Sequence, residues 1–346
     1  MTGSRQPGGY QVTGKERRYL AGDIGGTKTV LALFSPETGI YQPYETRIFQ
    51  SNRYPSLEAI IREYLDDKNY RIQGASIGIA GPVLGGRSRV TNLDWLVDEN
   101  KISQELGGAQ VKLLNDLQAI AYGIPHLSSQ DIEIINPGEP ESQGAIAVIA
   151  PGTGLGEGFL VRVNKRYQPC PSEGGHASFS PCSPLETELL HYLWHQYTHV
   201  SFERVCSGIG MINLYQFMRD GKGLEEPQWL RERLSSVKDP VPVIVQAALD
   251  GSAHICEETL KLFVSILGSE AGNLALKVLA TGGVYLAGGI PPRILPFLRR
   301  LDFLRAFTDK GRFAELLARV RVCVVVHAQM GLFGAACHGL LHAEEA

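Results

Sequence analysis

No apolar run in this chain approaches the roughly 18 residues that a membrane-spanning helix needs. The longer runs, such as residues 322–326, are typical of buried strands. Neither sign of charge predominates, because 33 Lys and Arg stand against 36 Asp and Glu and the formal net charge is −3. Such a chain has no basic field that would attract nucleic acid or anionic lipid. We therefore expect a cytoplasmic protein that binds small molecules, with no nucleic-acid or membrane partner.

Cysteine occurs six times and never in a C-x-x-C pair. The cysteines are scattered and several lie inside apolar runs, which indicates reduced, mostly buried thiols rather than a disulfide framework. Cys170 and Cys182 flank His176, but these side chains fall short of the four ligands of a structural zinc site. The sequence therefore favours neither disulfides nor zinc.

Two common nucleotide-binding motifs are missing as well. No G-x-x-x-x-G-K-[ST] occurs, and no glycine fingerprint stands between a strand and a helix. Instead, two Gly/Thr-rich turns, within residues 21–29 and 150–156, each separate two apolar runs. One such turn is commonly no more than a hairpin, but glycine also lets phosphate oxygens approach backbone N–H groups. Two of them in one chain predict two loops that bind one polyphosphate.

The length of 346 residues and the hydrophobic content of 44% predict two α/β domains. Both halves begin with a glycine-turn hairpin and continue with strands and helices, which indicates a duplicated fold with a cleft between the copies. Residues 1–18 are polar and are predicted to be a disordered extension. The other predicted elements are strands at 44–49, 75–80, 111–114 and 283–287 and helices at 56–65, 116–124 and 260–278.

Asp116 is the first candidate for chemistry because it stands where a buried strand gives way to a helix. A carboxylate there could accept the proton of a sugar hydroxyl that attacks phosphorus, which is the task of a kinase base. The same position also suits a helix N-cap, and position alone favours that alternative. Asn115 could cap the helix equally well, which would leave Asp116 available for chemistry.

A second candidate is the polar loop at residues 171–176, in which Glu173 and His176 flank two glycines. Both side chains could hold one polar ligand, with the carboxylate accepting hydrogen bonds from hydroxyls. A surface loop without a role is equally compatible with this pattern.

Four other polar residues indicate structure rather than chemistry. Glu203, taken alone, is typical of a capping or surface carboxylate. His191, His195 and His199 recur at four-residue steps, but no carboxylate partner stands in register with them. They indicate a solvated helix face that ends before His199, not a metal site.

Taken together, eight motifs resemble the bacterial glucokinase family, in the same order and over nearly all of the chain from Tyr19 onward. They are residues 23–27 (DIGGT), 79–83 (IAGPV), 91–95 (TNLDW), 114–116 (LND), 151–156 (PGTGLG), 173–176 (EGGH), 203–208 (ERVCSG) and 282–290 (GGVYLAGGI). The resemblance implies a two-domain, actin-like ATPase fold of the ribonuclease H-like α/β class, with duplicated mixed-sheet domains and an interdomain cleft. It further implies a small domain at 19–125, completed by a C-terminal helix at 331–346, and a large domain at 126–330.

The resemblance also implies a reaction, the transfer of the γ-phosphoryl group of ATP to the 6-hydroxyl of glucose, with Asp116 as the catalytic base. Glucose would be bound by Asn92, Asn115, Asp116, Glu173, His176 and Glu203. ATP would be bound by Asp23, Gly25, Gly26, Thr27, Gly152, Thr153, Gly154, Gly288 and Gly289. Asp23 would reach Mg²⁺ through water, because magnesium keeps part of its hydration shell. A homodimer is also expected from the family.

Two alternatives stay open. One is a kinase for another hexose or an amino sugar, in which only the hydroxyl contacts would differ. The other is a non-catalytic sugar sensor, against which the presence of Asp116 argues. A related family of repressors, open reading frames and kinases carries a cysteine-rich zinc segment after its Glu-x-Gly-His motif, and this chain lacks that segment.

Overall fold

Two units make up the fold, and they share one strand pattern. A computed structural model describes residues 17–66, 68, 70–90 and 93–343 of the chain. Unit 1 comprises the described residues up to Asp116 together with those from Gly331 onward, and unit 2 is Leu117–Met330. Unit 1 is thus built from two separate stretches of sequence.

The described residues form thirteen strands and twelve α-helices. The strands are β1 (Arg17–Ile24), β2 (Lys28–Phe34), β3 (Glu45–Gln50), β4 (Arg71–Ile79), β5 (Arg87–Arg89), β6 (Leu96–Asp98), β7 (Gln110–Asn115), β8 (Ile132–Asn136), β9 (Ile146–Pro151), β10 (Leu155–Val163), β11 (Arg166–Ser172), β12 (Gly283–Leu286) and β13 (Val322–Val325). The helices are α1 (Leu57–Leu65), α2 (Glu99–Glu105), α3 (Asp116–Gly123), α4 (Pro184–Trp194), α5 (Gly208–Gln216), α6 (Gln228–Ser235), α7 (Val241–Leu249), α8 (His254–Val278), α9 (Leu295–Leu298), α10 (Leu301–Thr308), α11 (Ala314–Ala318) and α12 (Met330–Ala343).

Unit 1 has three layers, in which helices cover both faces of a five-stranded sheet with the strand order β3-β2-β1-β4-β7. Strands β1, β4 and β7 are parallel, whereas β2 is antiparallel to β1 and to β3. Alternate residues of β2 face opposite layers: Leu31 and Leu33 pack with α1 and α2, and Val30, Ala32 and Phe34 pack against α12. Because helices cover both faces, the strand has a nearly continuous apolar sequence.

Unit 2 repeats this pattern in a six-stranded sheet in the order β11-β10-β9-β12-β13-β8. Strands β9, β12 and β13 are parallel, while β10 and β11 return as antiparallel hairpins and β8 is antiparallel to β13. Helix α8 runs through the core, and its residues Leu260, Phe263, Val264 and Leu267 are completely buried. The predicted duplication of a mixed-sheet α/β fold is confirmed.

Both predicted glycine-turn hairpins are confirmed. Strands β1 and β2 pair up to Ile24 and Thr29, and β9 and β10 pair up to Pro151 and Leu155. The hydroxyl of Ser56 accepts the backbone N–H of Ala59 and so caps α1, the helix predicted at residues 56–65. These features are encoded within a few residues of sequence, so they could be found without the tertiary structure.

Helix lengths agree in part with the predictions. Helix α4 ends at Trp194, so His199 lies outside it, as predicted. Helix α8 begins at His254, before the predicted start at residue 260, because the buried Ile255 and Cys256 continue its apolar face. Among the residues that the structure describes, no helix is both long and apolar enough to cross a bilayer.

The first strand begins earlier than predicted. Arg17 and Arg18 belong to β1, although the sequence analysis assigns them to the extension, whose residues 1–16 lie outside the described part of the chain. The guanidinium carbon of Arg18 lies 4.7 Å from the ring centre of Tyr44 and 5.2 Å from that of Tyr70. These cation–π contacts let a charged residue occupy a buried strand position.

The two units meet in sequence between Asp116 and Leu117, before the predicted boundary at residue 125. The Leu117 side chain packs against β10, where a Cβ at Gly156 would lie 3.3 Å from Leu117 Cδ1 and one at Gly158 would lie 3.1 Å from Cδ2. From its second residue onward, α3 therefore belongs to unit 2.

Candidate active site

The first glycine turn joins β1 to β2 at the C-terminal end of β1. Within it, Gly25 N–H donates to Lys28 O at 2.9 Å, and the Ser51 hydroxyl donates to Gly25 O at 2.9 Å. No backbone hydrogen bond among the described residues uses the N–H groups of Gly26 and Thr27, and Thr27 is exposed. The turn therefore offers backbone donors and a hydroxyl to an anion.

The second glycine turn, between β9 and β10, has the same construction. Gly152 N–H donates to Gly154 O at 2.8 Å and closes the turn. Within the described chain, the N–H groups of Thr153 and Gly154 take part in no backbone hydrogen bond, and Thr153 is exposed. Each unit thus carries one turn of the kind that the sequence predicts for phosphate.

Gly288 and Gly289 lie beside the second turn. Strand β12 runs parallel to β9, so the C-terminal ends of both strands reach one edge of the sheet. A Cβ at Gly288 would lie 2.7 Å from Pro151 O, and the φ of this glycine is +81°, so a side chain is excluded there. Gly289 faces open space. A ligand on the second turn could extend over this pair.

Helix α5 begins against the second turn, which the sequence analysis did not predict. Gly208 N–H donates to Gly152 O at 2.8 Å, and the Ser207 hydroxyl accepts the N–H of Gly210 at 3.1 Å. A helix N-terminus carries partial positive charge and favours a bound phosphate. The serine before an apolar run is the N-cap signal that could have revealed this helix start.

Two carboxylates of unit 1 share one edge of its sheet. Because β1, β4 and β7 are parallel and their last residues are level, Asp23 near the end of β1 and Asp116 just after β7 lie at that edge. Burial raises the pKa of Asp23, Lys28 lowers it, and the negative charge of Asp116 raises it further. The two carboxylates therefore interact, and the side chain of Asp116 is exposed.

The N-terminus of α12 abuts Asp23. A Cβ at Gly331 would lie 2.9 Å from both Cγ and Oδ2 of Asp23, so only glycine lets the helix start approach this closely. The positive end of the helix dipole therefore stands beside the carboxylate. The family motifs imply that this helix belongs to the small domain, and no residue of it is among the predicted site residues.

Glu173 directly precedes the 3-10 turn Gly174–His176, which follows β11 and ends at His176. Phe202 N–H donates to Ala177 O at 3.0 Å, and this pairing brings a distant segment beside the turn. In consequence His176 Nδ1 lies 4.0 Å from Glu203 Oε1, and His176 Nε2 lies 3.9 Å from Glu173 Oε2. Three of the predicted glucose ligands therefore come together in unit 2.

Glu203 is not the surface carboxylate that its local sequence indicates. Its side chain is only 21% exposed, and Oε2 accepts the backbone N–H of Leu155 at 3.0 Å. A Cβ at Gly154 would overlap the same oxygen. Glu203 thus connects the second glycine turn to His176, a link across residues that are far apart in sequence.

Of the two asparagines predicted to bind glucose, the structure describes only Asn115. Asn115 is the last residue of β7, half-buried and directly before Asp116. Asn92 lies outside the described residues. Asn115 therefore lies at the sheet edge beside Asp116. The glucose-binding role of Asn92 stays a prediction from sequence.

The substitution Gly175→Ala should destabilise the fold by about 1–3 kcal/mol, because a Cβ there would overlap the backbone oxygen of Leu155. The midpoint of thermal unfolding measures this effect. Gly289→Ala is the matched control, since nothing lies within 4 Å of its added Cβ. Equal midpoints for the two variants would contradict the contact between the turn and β10.

A protein-family model described as Glucokinase matches residues 20–342. The chain belongs to the glucokinase family. A glucokinase of Nostoc punctiforme is 42% identical over 332 residues, covering 92% of this chain and 97% of the relative. The crystal structure of a glucokinase from an Antarctic psychrotroph matches with a TM-score of 0.81 at 32% identity, covering 93% of this chain and 98% of that one.

A third match is a ROK family glucokinase from Streptomyces griseus in complex with glucose and AMPPNP, with a TM-score of 0.61 at 20% identity, covering 93% of this chain and 99% of that one. At that identity the likeness shows the fold alone. The glucokinase-family chain thus has the two-domain, actin-like sugar kinase fold that its motifs imply, and the predicted family is confirmed. Its family makes it an enzyme that phosphorylates glucose with ATP.

Proposed function

We propose that Asp116 is the general base of this reaction and that the product is glucose 6-phosphate. The observation that carries the proposal is the place of Asp116, directly after the parallel strand β7 and at the same sheet edge as Asp23 and the first glycine turn. Its side chain is exposed there and so is open to a substrate.

In the proposed reaction, Asp116 accepts the proton of the glucose 6-hydroxyl as that oxygen attacks the γ-phosphorus of ATP. The new O–P bond forms while the bond from the γ-phosphorus to the bridging oxygen breaks, and that oxygen leaves with ADP. Such a transfer asks the protein chiefly to position its substrates and to stabilise charge. The remaining site residues serve those two tasks.

For ATP, we assign the backbone donors of the two glycine turns to the phosphates. The N-terminus of α5 beside Gly152 adds a favourable dipole. Gly288 and Gly289, without side chains and at the same edge as the second turn, are assigned to the adenosine.

For glucose, we assign hydroxyl contacts to Glu173, His176 and Glu203, together with Asn115 and Asn92. In unit 2, Glu173 and His176 have exposed side chains, 83% and 61% accessible, while Glu203 is held in place by Leu155 N–H. Carboxylates accept from hydroxyls and imidazole both donates and accepts, which suits a sugar.

The chain fits a magnesium ion at Asp23. A half-buried carboxylate whose pKa is raised by desolvation and by Asp116 would be stabilised by a cation. The described residues contain no cluster of three metal-binding side chains, and Mg²⁺ typically takes one or two carboxylates plus substrate phosphates and water. When bound, Mg²⁺ offsets the negative charge of the phosphates.

The resemblance to bacterial glucokinases supports two further proposals, a homodimer and a cytoplasmic location. Light scattering coupled to size exclusion tests the first: we expect twice the chain mass of 37.8 kDa. A mass of one chain at micromolar concentration would overturn it.

Sugar-stimulated ADP release tests the proposed function. We expect the highest kcat/KM with glucose in a coupled assay that compares glucose, mannose, fructose and N-acetylmannosamine at saturating MgATP. ADP release that no sugar stimulates would refute a kinase, and preference for another sugar would refute glucose as the substrate. Nuclear magnetic resonance of the product checks that the phosphate is on O6.

Glu203→Ala should raise the KM for glucose roughly 10- to 100-fold, because a charge-assisted hydrogen bond is lost and the N–H of Leu155 is left unpaired. Glu203→Gln keeps an acceptor for that N–H and serves as the matched variant. We expect Glu203→Gln to retain the wild-type unfolding midpoint while its KM rises less. Equal KM values for both variants and wild type would exclude Glu203 from the glucose site.

A further inference from the structure

Glu157 is a buried acid that the reaction above does not use. It is the third residue of β10, and its side chain is only 1% exposed. Neither carboxyl oxygen has a hydrogen-bond partner among the described residues. Buried polar atoms nearly always have partners, so an unpartnered carboxyl in a core requires a physical explanation.

The carboxyl lies directly under the turn that carries two of the proposed glucose ligands. A Cβ at Gly174 would overlap Glu157 Oε2 and would lie 3.2 Å from its Cδ. In the β10–β11 ladder Glu157 stands opposite Ser172, whose hydroxyl accepts the N–H of Gly174 at 3.0 Å. Gly174 directly follows Glu173 in the chain. Because the Glu157 carboxyl packs against Gly174, a change at Glu157 would alter the shape of the turn.

A second buried acid, Glu270 of α8, interacts electrostatically with Glu157. Glu270 is 0% exposed, accepts from Asn273 Nδ2 at 2.8 Å and pairs with Lys277 Nζ at 3.3 Å. Burial and the charge of Glu270 raise the pKa of Glu157 to about 8, against a smaller opposite effect of Lys277. Burial raises the pKa of Glu270 as well, with Asn273 and Lys277 acting in the opposite direction, and the raised pKa of Glu157 favours its neutral form at pH 7.

The other elements packed on β10 add few charges near Glu157. Strand β9 contains no titratable residue, and Leu117 is the contact from α3. The segment before α5 contributes the Cys206 thiol, whose pKa is raised by burial and by the carboxylates near it. Strand β11 carries Arg166, Tyr167 and Cys170 further along the ladder, and the turn itself carries Glu173 and His176.

We propose that the Glu157 carboxyl is a positioning group for the sugar turn, which it holds in glucose-binding shape by packing under Gly174. The inference rests on the proposed glucose-binding role of Glu173 and His176. A neutral carboxyl fills this space without repelling Glu173 or Glu270. An ionised carboxylate would add a negative charge near the buried Glu270, and like charges in a protein interior repel strongly.

The ionisation of Glu157 predicts how glucose affinity changes with pH. Glu157 is neutral below its pKa and ionises as the pH rises past about 8, so glucose affinity should fall on the alkaline side. We expect the KM for glucose of the wild type to rise about tenfold between pH 7 and pH 9.5, with kcat changing less than about threefold.

Three variants test the proposal, with KM and kcat measured from pH 6.5 to 9.5 and glucose binding measured by calorimetry without ATP. Glu157→Gln is shaped like the neutral acid and cannot ionise, so its glucose affinity should match the wild type at pH 7 and stay flat to pH 9.5. Glu157→Ala removes the packing under Gly174 and should raise KM about tenfold at every pH. Glu315→Gln, on the exposed side of α11, is the matched control and should follow the wild type.

The proposal would be overturned if the KM of Glu157→Gln for glucose rose at alkaline pH as in the wild type. It would also be overturned if the KM of the wild type itself did not change with pH. Glu173→Gln separates this outcome from failure of the glucose site. If Glu173→Gln binds glucose as tightly as the wild type, the assigned glucose site is wrong. If it binds weakly while Glu157→Gln behaves like the wild type at all pH values, only the role of Glu157 is wrong.

Discussion

Asp116→Asn should retain glucose affinity to within about tenfold and lose roughly 10²–10⁴ of kcat, because a general base acts chiefly in the transition state. Asparagine keeps the size of the side chain and removes the basic oxygen. Calorimetry with glucose and a coupled assay at saturating MgATP measure the two quantities separately. We expect turnover to fall much more than binding because the Asp116 carboxylate is exposed directly after β7, where a substrate can reach it.

The control for this variant is Asp66→Asn, an exposed acid at the end of α1 in the same unit, which should leave both quantities unchanged. The alternative role of Asp116, as a structural residue at the start of α3, predicts another result. Parallel losses of binding and turnover, with a lowered unfolding midpoint, would establish that structural role and remove Asp116 from the chemistry.

Asp23→Asn should have opposite effects on activity and on stability. Activity should fall by roughly 10²–10³, because the carboxylate proposed to bind Mg²⁺ is removed and a bound cation contributes several kcal/mol to the transition state. The concentration of Mg²⁺ that gives half-maximal rate should rise as well. Titration of Mg²⁺ at saturating ATP and glucose measures both.

The stability effect follows from the sign of the pKa shift. Folding raises the pKa of Asp23, so the ionised carboxylate destabilises the folded state wherever the pH exceeds its folded pKa. Asparagine removes that charge, and the unfolding midpoint without ligands should rise by roughly 2–4 °C at pH 7.5. The gain should vanish as the pH falls below the ordinary value of 3.8, where the acid is neutral in both states.

An unchanged midpoint, or one that falls, would contradict a destabilising effect of the ionised Asp23 carboxylate on the fold. Asp66→Asn again serves as the control, since its side chain is exposed and should show neither effect. If Asp23 has the proposed role, its cost to stability is an example of selection for activity rather than for stability.

Local sequence was sufficient to predict the two hairpins that carry the glycine turns. A glycine turn between two apolar runs encodes a hairpin by itself, and both hairpins formed at the predicted residues. The strand-to-helix junction at Asp116 was equally visible, because β7 and α3 meet at that residue. The start of β1 was missed, since nothing local reveals that the rings of Tyr44 and Tyr70 accommodate Arg18.

The sequence by itself determined the glycine turns, the strand-to-helix junction at Asp116 and, through its motifs, the family, because these depend on residues close together in the chain. Only the tertiary structure decided which distant residues meet. Glu203 binds the N–H of Leu155, Gly331 brings a helix N-terminus to Asp23, and Glu157 lies under Gly174. Such contacts depend on sheet register and helix packing, which bring together segments that no local pattern connects.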